Sequence, residues 1–78
     1  MRKLKVRHER LPGIGDLFEL DTAAGLTVTV VTHRSGRRDI AIGKMGADEP
    51  VITAALSRTE STAMAALLTG TNIELTTA

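Results

Sequence analysis

The sequence lacks cysteine, tryptophan and tyrosine, and Phe18 is its only aromatic residue. Without cysteine the chain can form no disulfide and no thiolate metal site, and it has no thiol nucleophile. It also lacks an apolar run of the roughly 20 residues that a membrane-spanning helix needs. The basic start is followed by an alternating segment instead of the apolar core of a signal peptide. These absences predict a protein that is neither disulfide-stapled nor inserted in a membrane.

The hydrophobic content is poor in large side chains. Ten of the 78 residues are alanine, so few bulky groups remain to fill a core. A chain of this length forms one domain at most and buries a smaller share of its surface than a larger protein does. Small domains with too little core often gain burial by oligomerising. We therefore expect a homodimer, or docking onto a larger partner.

The charge is nearly balanced overall, at +1, but it is unevenly distributed. Residues 1–10 hold five arginines and lysines against one glutamate. Such a segment can contact phosphates or lipid headgroups, or it can simply be the solvated face of a strand.

The segment 26–43 predicts a β-hairpin around which the rest of the chain is organised. Aliphatic residues alternate with polar or small ones on both sides of a turn, which is the period of half-buried strands. A three-residue loop sets Val30 opposite Ile40 and gathers the large aliphatic side chains on one face. A two-residue loop would send the isoleucines to the other face, since a one-residue slip reverses every side chain. We predict the three-residue loop, with Gly36 in its left-handed last position.

The same register brings charged side chains together on the other face of the hairpin. His33 is predicted to lie opposite Arg37, with Asp39 as a diagonal neighbour. Arg34 and Arg38 belong to the same turn. A hairpin tip lacks the concavity and the exclusion of water that catalysis needs. We therefore interpret these five residues as candidates for an interaction surface or a switch.

No other part of the sequence predicts catalysis or a metal site. The two histidines lack HxH or HExxH spacing, and no serine lies in a nucleophile elbow. A glycine-rich turn such as Leu11 to Gly15 can hold phosphate through bare amides, but the lysine of a P-loop is missing. We expect a structural turn built on Pro12, Gly13 and Gly15, with Leu11 and Ile14 directed inward. We expect no enzyme activity, no cofactor and no metal.

Three further strands and one helix complete the predicted fold. Alternating segments at 3–9 and 17–22 precede the hairpin, and a fifth strand covers 51–56. The sequence from Ser57 matches the capping box that begins a helix, and Gly70 is a natural cap at its end. A helix of about three turns is too short to be stable alone in water, so we expect it to pack over one face of the sheet.

The predicted fold class is α+β, with about five antiparallel strands, open or closed into a barrel, and one C-terminal helix packed on them. Residues 1–70 would form this small β-rich domain. Residues 71–78 would be a terminal strand or the start of a linker to a further domain. His8 continues the inner face of the first strand and is expected to be a rim residue with a hydrogen-bonded ring.

Six short segments fall in the order and spacing of a known family: LPGIG, Phe18-Glu19, Gly25, HRSGRRDI, Asp48-Glu49-Pro50, and Leu56-Ser57 before a helix ending LLTG. Together they resemble the N-terminal domain of the regulatory subunits of bacterial potassium/proton antiporters of the CPA2 type. The resemblance covers about residues 8–70, although the family usually has more acidic residues at the helix start. In that family a second domain of the RCK-C (TrkA-C) type follows and is associated with nucleotide ligands. That domain is not in the sequence, so no nucleotide ligand is expected, and the chain would be part of such a subunit or a stand-alone domain.

The resemblance implies a cytoplasmic, non-catalytic regulatory domain that controls a membrane potassium/proton antiporter. It would bind the antiporter subunit at the inner face of the cell membrane, without inserting, and would not bind nucleic acid. The residues alone leave an alternative, a small nucleic-acid-binding β domain that uses the basic N-terminus and the hairpin-tip arginines. The nearly neutral charge and the absence of stacking aromatics argue against that alternative.

A pH response is a further hypothesis. A subunit that governs proton exchange would benefit from a group that titrates near neutrality, which among unperturbed side chains is histidine. Arg37 would favour the neutral ring of His33, whereas Asp39 would favour the charged one. His33 is therefore either a pH switch or a hydrogen-bonded residue that shapes the hairpin.

Overall fold

The computed structural model describes residues 5–70 of the chain. They form five strands and one helix: β1 Val6–Leu11, β2 Gly15–Asp21, β3 Leu26–His33, β4 Arg38–Lys44, β5 Ile52–Leu56 and α1 Arg58–Thr69. The strands form one antiparallel sheet in the order β1-β2-β3-β4-β5. β1 and β5 lie at opposite edges and do not pair, so the sheet is open and not a barrel. The predicted α+β class is confirmed. The proposed strand or linker at residues 71–78 lies outside the described residues.

The register of the central hairpin is the predicted one. Val30 pairs with Ile40 and Val28 pairs with Ile42 across β3 and β4. The neighbouring strands continue this alignment, because Phe18 lies opposite Val30 on the β2 side. Cross-strand partners share a face of a sheet. The large apolar side chains of β2, β3 and β4 therefore lie together on one side, which we call the aliphatic face: Phe18, Leu20, Leu26, Val28, Val30, Ile40 and Ile42.

This aliphatic face is not covered within the described part of the chain. Among residues 5–70 no hydrophobic side chain is fully buried, and those of the central strands are only half-buried. The edge strands are more open still, with Val6 55% and Ile52 59% exposed. A single-layered sheet leaves both faces in contact with water, whereas stable domains pack a second layer on the apolar one. The surface that would normally become a core is thus exposed.

The helix has both of the predicted caps. The Ser57 side chain accepts a hydrogen bond from the Glu60 amide at 3.1 Å, and the Glu60 carboxylate accepts one from the Ser57 amide at 2.8 Å. Gly70 ends the helix in the left-handed conformation, with φ of 75°, and its N–H donates to the carbonyl of Ala66. These bonds satisfy backbone groups that a helix end leaves without partners.

The position of the helix differs from the prediction that it packs over a face of the sheet. Its contacts with the sheet are concentrated on β5, and its apolar stripe is open to solvent: Met64, Leu67 and Leu68 are 39%, 59% and 79% exposed. The cause lies in the connection. Ser57 alone joins β5 to α1, and the capping box holds it extended at φ −72° and ψ 170°. A one-residue joint of this kind gives the helix no slack to fold back over its own sheet. No helix in the described residues is long and apolar enough to cross a membrane.

Candidate functional site

The tip of the β3–β4 hairpin has the predicted three-residue loop. The His33 amide donates to the Arg37 carbonyl at 2.9 Å, and the Gly36 amide donates to the His33 carbonyl at 3.0 Å. Gly36 has φ of 103°, a conformation that L-residues rarely adopt. These two backbone hydrogen bonds close the loop and set the positions of the five candidate residues at the tip.

Three of the five candidate residues form one network, in the arrangement that the sequence predicted. His33 Nε2 lies 2.7 Å from Asp39 Oδ2, and Arg37 Nε donates to Asp39 Oδ1 at 2.8 Å. The contact with His33, followed by that with Arg37, holds the pKa of the Asp39 carboxyl below its ordinary value. Because the Asp39 carboxylate contacts both side chains, the charge of the His33 ring affects the position of the Arg37 guanidinium. A change of charge on His33 would therefore be felt across the tip.

The other two candidates, Arg34 and Arg38, belong to a different environment. Arg38 Nη1 donates to the backbone carbonyls of His33 at 3.2 Å and Arg37 at 3.1 Å. With Arg10 of β1, Arg34 and Arg38 line a cleft of about 220 Å³ between the tip and the β1–β2 turn. The predicted charge cluster thus has two parts. One is the network in which Asp39 pairs with His33 and Arg37, and the other is the arginine-lined cleft.

The β1–β2 turn is fixed against the hairpin tip. The Arg34 amide donates to the Ile14 carbonyl at 2.9 Å. Gly15 pairs with His33, and a Cβ at Gly15 would collide with the carbonyl oxygen of Thr32, so only glycine fits. These backbone contacts join the β1–β2 turn to β3 and to the hairpin loop. The prediction that Ile14 points inward is wrong: its backbone reaches the hairpin while its side chain is 48% exposed.

A contact that sequence reasoning missed joins the tip to the helix. A Cβ placed on Gly36 would lie 2.9 Å from Arg58 Nε, so the first side chain of α1 lies directly against the loop. Gly36 is the one buried residue among 5–70. The start of the helix therefore contacts the hairpin tip through the Arg58 side chain. Nothing in the local pattern of either segment signals this contact, because it depends on how β5 is placed beside β4.

His8 is a rim residue with a hydrogen-bonded ring, as predicted. Its Nε2 lies 2.8 Å from Asp16 Oδ1, and its ring stacks on Phe18 with the centroids 4.8 Å apart. Asp16 lies opposite Arg10 in the β1–β2 pairing, yet its carboxylate contacts His8. Among residues 5–70 the guanidinium of Arg10 therefore has no acidic partner, and Arg10 lines the cleft.

A second ionic network lies on the face of the sheet opposite the aliphatic one. Arg7 donates through both terminal nitrogens to Asp21, at 2.9 and 3.0 Å, and Thr27 donates to the same carboxylate at 2.8 Å. The Arg7 bonds, followed by the Thr27 bond, lower the pKa of Asp21 to about 2. These contacts tie β1, β2 and β3 together beside an open cleft of about 480 Å³ under the β4–β5 loop. The network is structural, and its members were not among the predicted site residues.

Among residues 5–70 no group of three histidine or acidic side chains is arranged to hold a metal ion. His33 and Asp39 form a hydrogen-bonded pair at the hairpin tip. The geometry offers charged surfaces, an arginine-lined cleft and an uncovered apolar face.

Comparison with known proteins identifies the family. Residues 4–72 match the domain family described as "K(+)/H(+) antiporter subunit KhtT, N-terminal domain". The chain belongs to this family. It is 32% identical over 68 residues to the K(+)/H(+) antiporter subunit KhtT of Bacillus subtilis (strain 168), a match that takes in 86% of this chain.

The match covers 41% of the length of the Bacillus subtilis protein. This chain thus spans well under half of that relative. The resemblance noted in the sequence, to the N-terminal domain of a potassium/proton antiporter regulatory subunit, is confirmed.

Proposed function

We propose that the chain is a non-catalytic, cytoplasmic regulatory domain that binds a membrane potassium/proton antiporter and controls its transport. The observation that carries the proposal is the family match over residues 4–72 to the N-terminal domain of an antiporter subunit. The surface chemistry supports it, because the described residues present charged and apolar contact surfaces. Peripheral association with the inner face of the membrane follows from the same role.

The direct test of regulation is a transport measurement. Potassium-dependent proton exchange is measured in everted membrane vesicles that contain a potassium/proton antiporter from the same organism, with and without the chain present. A change in the exchange rate that saturates with added chain supports regulation. A rate unaffected by saturating, folded chain contradicts it.

We further propose that the hairpin tip contributes to docking on an acidic surface of the antiporter. The tip carries three arginines against one aspartate, and the guanidinium group of Arg34 has no hydrogen-bond or ion-pair partner among residues 5–70. Charge reversal of Arg34 to glutamate should weaken retention of the antiporter, since like charges would then face each other.

The matched control for the tip is Lys44, the cation at the other end of β4, opposite Leu26. Lys44→Glu changes the net charge by the same amount, at the end of β4 away from the tip. We expect it to retain the antiporter as the unaltered chain does. Equal retention by the Arg34 and Lys44 variants would show that the tip is not the docking site.

His33 is proposed as a pH-responsive element of this tip. The His33 ring contacts the Asp39 carboxylate of β4, and the same carboxylate accepts a bond from Arg37. Two further cations are close in the chain: Arg38 donates to the His33 carbonyl, and Arg34 is the next residue of the loop. His33→Gln keeps a hydrogen-bonding side chain but removes the ionisable imidazole ring. We expect this variant to change the pH dependence of antiporter control between pH 6 and 9, whereas His8→Gln should not. Superimposable profiles for the His33 variant and the unaltered chain would mean that His33 only shapes the hairpin.

The chain is also proposed to form a homodimer that covers its exposed apolar surfaces. The aliphatic face and the helix stripe both lack cover among residues 5–70. A second copy offers matching surfaces in a two-fold arrangement, in which each helix can approach the sheet of the other copy.

A further inference from the structure

Arg10, Arg34 and Arg38 come from three separate places in the chain and line one small cleft. Arg10 is on β1, Arg34 is in the hairpin loop and Arg38 begins β4. The cleft measures about 220 Å³ and is otherwise lined mainly by polar groups, including the Thr32 hydroxyl and the Asp16 carboxylate. We propose that this cleft is a binding site for a phosphate group.

The positions of the three arginines follow from the sheet register. Arg10 pairs with Asp16, Asp16 pairs with Thr32, and Thr32 pairs with Arg38, so these residues form one row across four strands. Cross-strand partners share a face. The two cations of the row thus lie on the same side of the sheet, and Arg34 joins them from the loop above.

The cleft contains more positive charge than its own acid balances. Asp16 is the one acidic residue of the lining, and its carboxylate contacts His8 at 2.8 Å. The guanidinium groups of Arg10 and Arg34 have no hydrogen-bond or ion-pair partner within the described part of the chain. Arginine side chains gathered without acidic partners repel each other, and an anion placed between them removes that repulsion.

The cleft is already organised for binding. Arg38 is fixed by two backbone carbonyls through Nη1, so it loses little freedom when its other donors meet a ligand. The Arg34 amide is bonded to Ile14, which fixes the loop against the β1–β2 turn. Guanidinium groups match the geometry of phosphate oxygens and bind them in a bidentate way, which favours phosphate over a simple halide ion.

The phosphate could belong to a soluble anion or to the headgroup of an anionic phospholipid. Both present the same oxygens to the arginines. The proposal does not depend on the role in antiporter control, because it concerns the chain alone.

The test is binding of inorganic phosphate to the isotopically labelled chain, followed by NMR of the backbone and arginine Nε signals. Saturable shifts confined to the cleft are expected. Arg10→Gln and Arg34→Gln should each lower the affinity at least about tenfold, which corresponds to about 1.4 kcal/mol. Arg37→Gln is the matched control, because Arg37 belongs to the same hairpin but is engaged by Asp39, and it should leave the affinity within about twofold. Fold integrity of each variant is checked from the same spectra.

A second measurement distinguishes the sources of the phosphate. The chain is sedimented with vesicles of phosphatidylcholine alone or with added phosphatidylglycerol. Binding to the anionic vesicles that phosphate competes away, and that Arg10→Gln abolishes, assigns the site to a lipid headgroup. Binding of phosphate without binding of vesicles assigns it to a soluble anion. Absence of saturable phosphate shifts, or an equal loss of affinity in Arg37→Gln, would overturn the proposal.

Discussion

At the residue scale, Asp21 shows how one side chain can join three strands. Its carboxylate accepts bonds from Arg7 of β1 and Thr27 of β3 while it ends β2 itself. In a sheet with no buried apolar residue among 5–70, such polar ties carry more of the cohesion than they would in a packed core. Exposed ion pairs usually contribute little, but a bidentate arginine–carboxylate pair with a further hydrogen bond is the favourable case.

The pH dependence of this contribution can be predicted. The pKa of Asp21 is lowered from 3.8 to about 2 in the folded chain, so the folded state binds the proton less readily than the unfolded state. The stabilisation is therefore complete above about pH 4 and is lost as the pH falls through about 2. We predict that Asp21→Asn lowers the melting temperature at pH 7 and that the difference from the unaltered chain shrinks between pH 4 and pH 2.

Asp48→Asn is the control for this measurement. Asp48 is an exposed loop residue with no hydrogen bond or ion pair among the described residues. Thermal unfolding followed by circular dichroism at several pH values compares the two variants. A constant difference between Asp21→Asn and the unaltered chain from pH 7 to pH 2 would contradict the linkage.

At the element scale, the capping box is the feature that sequence reasoning located best. The start of α1, its Ser57–Glu60 pair and its end at Gly70 all follow from local chemistry. The hairpin register was equally predictable, because a wrong loop length would have split the aliphatic residues between two faces. Both predictions rest on interactions between residues close in the sequence, which a pattern can encode.

The joint between β5 and α1 depends on that cap. We predict that Ser57→Ala lowers the stability of the chain by about 1 kcal/mol, because the Glu60 amide loses its acceptor. Ser61→Ala is the control in the same helix. The Ser61 hydroxyl donates to the Arg58 carbonyl, a bond that helices do not need, and alanine favours the helix more than serine does. Denaturant unfolding measures both, and an equal effect of the two substitutions would show that the cap is not decisive.

Other contacts between elements were not predictable in the same way. The direction of the helix was mispredicted, since its length argued for packing on the sheet but the one-residue joint prevented it. The arginine-lined cleft was not predicted. A three-residue loop in the β1–β2 turn, like that of the central hairpin, sets Arg10 opposite Asp16, so the row of residues that lines the cleft could have been derived from the sequence. Two details depend on side-chain positions that sequence spacing does not give. One is whether Asp16 contacts Arg10 or His8, and the other is the position of the Arg58 side chain.

At the scale of the whole molecule, the aliphatic face and the apolar stripe of the helix are both left uncovered by residues 5–70. A sheet this open has the apolar content of a domain without the second layer that completes one. Our proposal of a homodimer makes a specific prediction for the helix stripe, where Leu67 and Leu68 are 59% and 79% exposed. Replacing both with glutamine should weaken the dimer at least about tenfold, since hydrophobic contact area is lost from the interface.

The control substitution is Thr62→Gln, at an exposed position in the same helix. Sedimentation equilibrium measures the dimer constant of each variant, and circular dichroism confirms that the helix is kept. A chain that remains monomeric at high micromolar concentration without any substitution would remove the basis for the dimer. In that case the exposed surfaces would have to meet a different partner.

The central claim is that this domain binds a membrane potassium/proton antiporter, and co-purification tests it most directly. The tagged chain is expressed together with a potassium/proton antiporter from the same organism, and the membranes are solubilised in mild detergent. We predict that the antiporter is retained in a fixed ratio to the chain, that retention falls with Arg34→Glu, and that it persists with Lys44→Glu. Recovery of folded chain without antiporter, at expression levels where both are present in the membrane fraction, would contradict the account.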